Sequence, residues 1–280
     1  MNCIIDTGGG LRGVYGAGVF DRLLDENARF DVLIGVSAGS ANAVTFMGGQ
    51  RERTKRFYLD YAFRKEYMSF GNLLKSGSYL GLDYIYRTLS NSDGEDPLDS
   101  ARLLAYDGEV YLTATDAKTG EPHYFTKADV PPDDYSVLCA SCCIPAVCRP
   151  YPVNGRLYYD GGVSDPIPVE KALALGCDRI AVILTRPADD IPDGKLEKVS
   201  SALIKKGCPK TAEALLRRRE KYISSLTLAK KLEKEGKCII LSPSDTCGIK
   251  TLTKDREGLE ALYRMGYENA GKIRDFIVSR

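Results

Sequence analysis

Ser37 stands in Gly35-Val36-Ser37-Ala38-Gly39, the G-x-S-x-G spacing with which serine hydrolases set a nucleophile on a tight turn. A serine hydroxyl attacks poorly until a base takes its proton, and histidine is the usual base. The whole chain contains one histidine, His123. The chemistry suggested is acyl transfer at Ser37, and the question is what activates it.

A second glycine run, Gly8-Gly9-Gly10-Leu11-Arg12-Gly13, follows the apolar stretch that ends at Asp6. Glycines between a strand and a helix let backbone N–H groups turn toward an anion at the positive helix end. Gly8-x-Gly10-x-x-Gly13 also has dinucleotide-binding spacing. That motif needs an acid at the end of the second strand, where this chain has the Ser37 turn instead. A phosphate loop is excluded too, since no Gly-Lys-Ser/Thr follows. A β-α-β crossover is right-handed and sets successive parallel strands close together, so both loops open on one sheet edge. Gly8, Gly9 and Gly10 can then offer oxyanion donors beside Ser37. Gly35 and Gly39 permit the sharp turn. Arg12 is equally suited to meet an anionic head group or to bond its own loop.

The base is the harder residue to find. An α/β-hydrolase places several strands before its serine and its histidine late in the chain. Here Ser37 follows one β-α unit, and His123 falls in a hairpin strand, where a polar edge residue is the plainer reading. Asp160 ends a strand in Tyr158-Tyr159-Asp160-Gly161-Gly162. Gly161 and Gly162 leave room beside its carboxylate, and an Asp-Gly pair is also a common turn. Its pairing with an otherwise baseless serine favours a chemical role.

These residues need a scaffold. Residues 2–47 read as β-loop-α-β-turn-α, the pattern of a parallel sheet. Helical spacing recurs at 51–67, 82–89, 99–105, 133–140 and 169–175. Strands are expected at 110–115, 123–126, 157–159 and 179–184. A proline- and aspartate-rich loop occupies 186–194. Beyond it lie a charged helix with one buried stripe at 211–235, a strand at 238–241 and a helix at 256–276. A boundary near 190 divides an expected catalytic core, 1–190, from an extension, 191–280, that packs on it with its late strand.

Composition narrows the classes. Of 280 residues, 44% are hydrophobic, enough for a real core. A net charge of +1 argues against an overall electrostatic grip on nucleic acid. No apolar run approaches the roughly 18 residues of a membrane span. The first residues lack the basic and apolar regions of a signal peptide, so a cytoplasmic protein is expected, with peripheral membrane contact left open. The nine cysteines read as reduced thiols. Cys139-x-x-Cys142 has zinc spacing, but no second ligand pair completes it, and packing is the better reading.

Together these blocks resemble the patatin-like phospholipase family. The matching residues are the Gly8–Gly13 loop, Gly35-Val36-Ser37-Ala38-Gly39, Ala140-Ser141-Cys142-Cys143-Ile144-Pro145 and Asp160-Gly161-Gly162, in family order. Cys148-Arg149-Pro150 departs from the aromatic and proline often found there. The resemblance implies a three-layer α/β/α fold with a central, mainly parallel sheet. It also implies a Ser-Asp dyad that works without histidine: Ser37 as nucleophile, Asp160 as base, Gly8, Gly9 and Gly10 as oxyanion loop. The expected function is a serine acyl hydrolase of lipase or phospholipase A type, with a lipid or acyl-ester substrate, no cofactor and no metal. Its competitors are a thioesterase or acyltransferase using the same dyad, and a non-catalytic protein of this fold that binds lipid or a partner. A nucleotide-binding protein is disfavoured by the missing ribose acid.

Overall fold

The computed structural model describes residues 1–278. β1 (Asn2–Asp6) and β2 (Val32–Val36) are short and almost wholly buried, as parallel strands covered on both faces must be. They pair in parallel, from Cys3 opposite Val32 to Asp6 opposite Gly35. Between them a 3-10 turn at Gly10–Gly13 leads into α1 (Val14–Asp25). α2 (Ala38–Met47) starts directly after Ser37.

The chain then crosses the sheet through α3 (Arg53–Leu59), α4 (Phe70–Ser76), a π-helical turn at Tyr84–Thr88 and α5 (Ser100–Ala105). The spacing at 51–67 predicts one helix, but it breaks at Asp60, where φ is −119° and ψ −60°. β3 (Glu109–Asp116) and β4 (Pro122–Phe125) form the expected hairpin. α6 (Ser136–Ser141), β5 (Tyr151–Val153) and β6 (Arg156–Asp160) follow, then α7 (Val169–Ala174) and β7 (Arg179–Ile183). The last elements are α8 (Lys195–Ile204), α9 (Pro209–Lys234), β8 (Cys238–Leu241), α10 (Arg256–Asn269) and α11 (Gly271–Val278).

The strands lie in the order β5-β6-β3-β2-β1-β7-β8, with β4 also on β3. β8, β7, β1, β2 and β3 pair in parallel, and β4, β5 and β6 pair antiparallel. This is the mainly parallel sheet expected, with helices on both sides. Alternation along the strands sorts the core. Ile4, Leu33 and Leu112 face one helical layer, while Cys3, Ile5, Val32 and Ile34 face the other. Each fully buried Ile or Leu contributes roughly 1.5–3 kcal/mol of transfer free energy.

Two features position the site. Residues beyond 190 share the sheet, since β8 extends β7 and α10 lies along α1, where Tyr263 Oη donates to Asp21 at 2.7 Å. The second is a hand-over along β3. On one flank β3 carries β4, from Leu112 to Thr115. On the other it pairs with β2 as far as Thr113 opposite Val36, then with β6 from Ala114 opposite Asp160. Val36 and Asp160 therefore meet consecutive residues of one strand on the same side, and Ser37 follows Val36 at once.

Candidate active site

Ser37 sits at φ 56° and ψ −130°, a conformation that L-residues adopt only when surroundings hold them there. Such strain costs on the order of 1–3 kcal/mol. Ser141, on α6, supplies the hold. Ser37 N–H donates to Ser141 Oγ at 3.0 Å, and Ser141 donates its own proton to Thr113 O at 2.7 Å. Having spent that proton, Ser141 also accepts from Ser40 Oγ, 2.7 Å away. Ser141 lies in the Ala140–Pro145 block, whose spacing alone does not reveal this contact.

The glycine loop lies against this elbow. Gly8 has φ 61°, and a Cβ there would overlap Val36 O and come within 2.9 Å of Gly39 N. Only glycine lets loop and elbow approach this closely. Gly8 N–H donates to Asp6 Oδ1 at 2.9 Å, so that amide is engaged. This narrows the expected set of three oxyanion donors. Among the described residues nothing accepts from the N–H of Gly9 or Gly10. Asp6 is fully buried, and burial raises its carboxyl to about 6 despite hydrogen bonds from Asn42 and Gly8. Asn42 Nδ2 ties Asp6 Oδ2, at 2.7 Å, to Gly13 O, at 3.0 Å. The loop's far side is fastened by Thr251, whose carbonyl accepts Leu11 N–H at 2.9 Å and whose hydroxyl accepts from Arg12 at 3.2 Å.

Arg12 points into the cleft with its Nε unpaired. Burial first, then repulsion from Arg186 and Arg218, lowers its pKa to about 10, which leaves it cationic at neutral pH. Arg218 is itself occupied: its Nε donates to Gly162 O and its Nη1 to Glu197 Oε1, both at 2.6 Å.

Asp160 is 8% exposed. Its N–H donates to Cys143 O at 2.8 Å, and its Oδ1 accepts Gly162 N–H at 2.8 Å across the Gly161-Gly162 turn. Ser37 lines the same cleft as Asp160 and favours its ionised form, but among the described residues no hydrogen bond of ordinary geometry joins Ser37 Oγ to the carboxylate. Catalytic hydrogen bonds often tighten only when substrate arrives. Burial raises the Asp160 carboxyl above the ordinary range; Ser37, Gly162 and Arg218 pull it partly back. A raised pKa makes a carboxylate a better base. Cys142 lines the apolar pocket with Ser37, and its thiol donates to Tyr86 Oη at 3.2 Å. Its burial keeps the thiol protonated.

His123 lies on β4, on the other flank of β3 from Asp160. Its ring packs on Phe125 at 4.5 Å and Tyr158 at 5.3 Å, and among the described residues no hydrogen bond joins it to Ser37 or Asp160. All nine cysteines are free thiols, and no metal-holding cluster occurs among the described residues. No described helix is long and apolar enough to cross a membrane.

Ser37 opens on two spaces. A cleft of about 350 Å³ holds Gly8, Gly9, Gly10, Arg12 and Asp160. A pocket of about 50 Å³ runs into the apolar core past Ala41, Val44, Phe57 and Leu138. The Patatin-like phospholipase family matches residues 7–173, which include the glycine loop, the elbow and the acid. The chain belongs to the patatin-like phospholipase family. A second match, to a domain of unknown function (DUF6363), spans 208–274 of this patatin-like chain. The uncharacterized protein YjjU of Escherichia coli K12 is 29% identical over 189 residues, 66% of this chain and 52% of YjjU. The lysophospholipase nte1 of Aspergillus terreus is 22% identical over 293 residues, 96% of this chain but 18% of that protein. The chain thus spans about half of one relative and under a fifth of the other. Among solved structures, VipD from Legionella pneumophila superposes with a TM-score of 0.51 at 14% identity, covering 98% of this chain and 66% of VipD. That likeness supports the patatin-like fold.

Proposed function

We propose that this patatin-like protein hydrolyses fatty-acyl esters of lipids through Ser37 and Asp160. The observation that carries the reading is the buried Asp160 carboxylate, raised in pKa, lining one cleft with a strained serine beside two unused amides. In the first step Asp160 takes the Ser37 proton as Oγ attacks the ester carbonyl. Gly9 and Gly10 N–H groups receive the oxyanion; one such donor contributes about 3–4 kcal/mol. The alcohol leaves with the proton held by Asp160, giving an acyl-enzyme on Ser37. Water then gives a proton to Asp160 and attacks the acyl carbon. Fatty acid departs and Ser37 regains its proton.

The apolar pocket beside Ser37 has room for the first carbons of an acyl chain, and Arg12 suits a phosphate in the head group. Relatives named lysophospholipase support a phospholipid or lysophospholipid substrate. The catalytic groups lie within 1–190, and the extension, 191–280, braces them through Arg218 and Thr251.

The test is hydrolysis of a medium-chain nitrophenyl ester and of a lysophospholipid by the wild type, Ser37→Ala, Asp160→Asn and His123→Ala, with folding checked. Both dyad variants should lose at least about 10²-fold in kcat, and His123→Ala should stay within about twofold of the wild type. Turnover surviving Ser37→Ala would refute the nucleophile. A loss in His123→Ala equal to that in Asp160→Asn would point to a triad.

A further inference from the structure

α8 carries its apolar residues the wrong way round for a globular helix. Leu196, Val199 and Leu203 recur at i, i+3 and i+7 and so share one face, yet they are 77%, 59% and 68% exposed. The one fully buried α8 residue is Ser201, whose hydroxyl donates to Ala212 O at 2.9 Å. A surface helix ordinarily turns such a stripe to the core.

The charges on this helix are equally one-sided. Lys195 and Lys198 on α8 and Lys205 and Lys206 just after it are all exposed, Lys195 nearest the stripe and Lys198 and Lys205 on the helix's flank. The only acid within α8, Glu197, turns inward to Arg218. Asp193, just before the helix, meets Lys195 at 3.6 Å and offsets only that lysine. The face also adjoins the catalytic cleft, because Leu196, Glu197 and Ser200 line it with Ser37 and Asp160. A second exposed apolar pair is tied to the same cleft. Val147 O, in a lining residue, accepts Tyr79 N–H at 2.8 Å, and Tyr79 meets Phe70 of α4 edge-on, where Phe70 and Leu74 are 75% and 88% exposed.

We propose that α8 is an interfacial helix that docks the cleft onto an anionic lipid surface. An apolar stripe flanked by lysines is the chemistry that recognises a bilayer carrying negative head groups. A second copy of this chain suits the face poorly, since two such faces would bring lysines against lysines. The purpose of docking rests on the lipid-hydrolase reading; the docking itself does not.

The experiment uses the full chain carrying Ser37→Ala, so that binding is read without turnover. Partition is measured by sedimentation with vesicles of phosphatidylcholine alone and of phosphatidylcholine mixed with phosphatidylglycerol. The protein should favour the mixed vesicles at least tenfold, less so as salt rises. Adding Val199→Ser and Leu203→Ser should cut that partition at least tenfold. Lys198→Gln with Lys205→Gln, which leaves the stripe intact, should cut it separately, so a folding defect in one pair does not end the test. Equal partition of the parent and the lysine pair onto both vesicles would overturn the proposal. So would a dimer of the parent, seen by light scattering, that Leu203→Ser dissolves. A failure to bind leaves the ester assay unchanged, and an inert Ser37 leaves the vesicle result unchanged, so the two readings fail separately.

Discussion

Ser141 Oγ holds the backbone N–H of Ser37 at 3.0 Å, so the residue that shapes the elbow comes from a helix more than a hundred positions along the chain. With Thr113 and Ser40 it closes a buried network of three hydrogen bonds. Ser141→Ala would leave the Ser37 N–H, the Thr113 carbonyl and the Ser40 hydroxyl short of partners in a dry site. Each buried unpaired group costs on the order of 1–3 kcal/mol. The variant should fold with lower stability in urea and lose at least about tenfold in kcat, with KM much less affected. Unchanged kcat with unchanged stability would show that the elbow holds itself.

As the proposed base Asp160 must be ionised, and burial raises its carboxyl above the ordinary aspartate value near 3.9. Activity should therefore fall as pH drops through a raised pKa, and the acid limb of kcat/KM reports it. Arg218 lowers that pKa by its charge. Arg218→Gln should accordingly move the limb upward. An acid limb at or below the ordinary value, or one that Arg218→Gln moves down, would contradict this assignment.

Asp6 gives a stability prediction of definite sign. Its folded carboxyl is raised to about 6 from an ordinary value of 3.8. A raised folded pKa means that its contribution is fully present below the unfolded pKa and is lost as pH rises through about 6. The difference corresponds to roughly 3 kcal/mol. Asp6→Asn lacks this titration, so between pH 4 and pH 7.5 its stability relative to the wild type should improve by an amount of that order. Urea unfolding at both values measures it; a constant difference would mean that Asp6 titrates normally.

The legible parts of the site are those written in glycine. Gly8–Gly10, the Ser37 elbow and the Asp160 turn each follow an apolar strand, and a strand that runs into glycines announces a loop at a sheet edge. The juxtaposition of Ser37 and Asp160 was not legible in the same way. It depends on β3 passing from β2 to β6 between Thr113 and Ala114, a register no local pattern encodes. Asp6 was hidden for another reason: a lone acid at a strand end looks like solvent-facing polarity, whereas here Asn42 and Gly8 receive it in the core. α8 is not legible as a core helix, because its apolar stripe faces solvent. Thr251 carries no motif at all, and its contact with Arg12 exists only because the extension returns to the glycine loop.

The central claim is that Ser37 is a nucleophile activated by Asp160. Labelling with a fluorophosphonate probe, mapped by peptide mass spectrometry, tests it most directly. A single modified residue, Ser37, is expected, with labelling slowed at least about 10²-fold in folded Asp160→Asn. Label on another serine, or equal labelling rates in the wild type and Asp160→Asn, would contradict it.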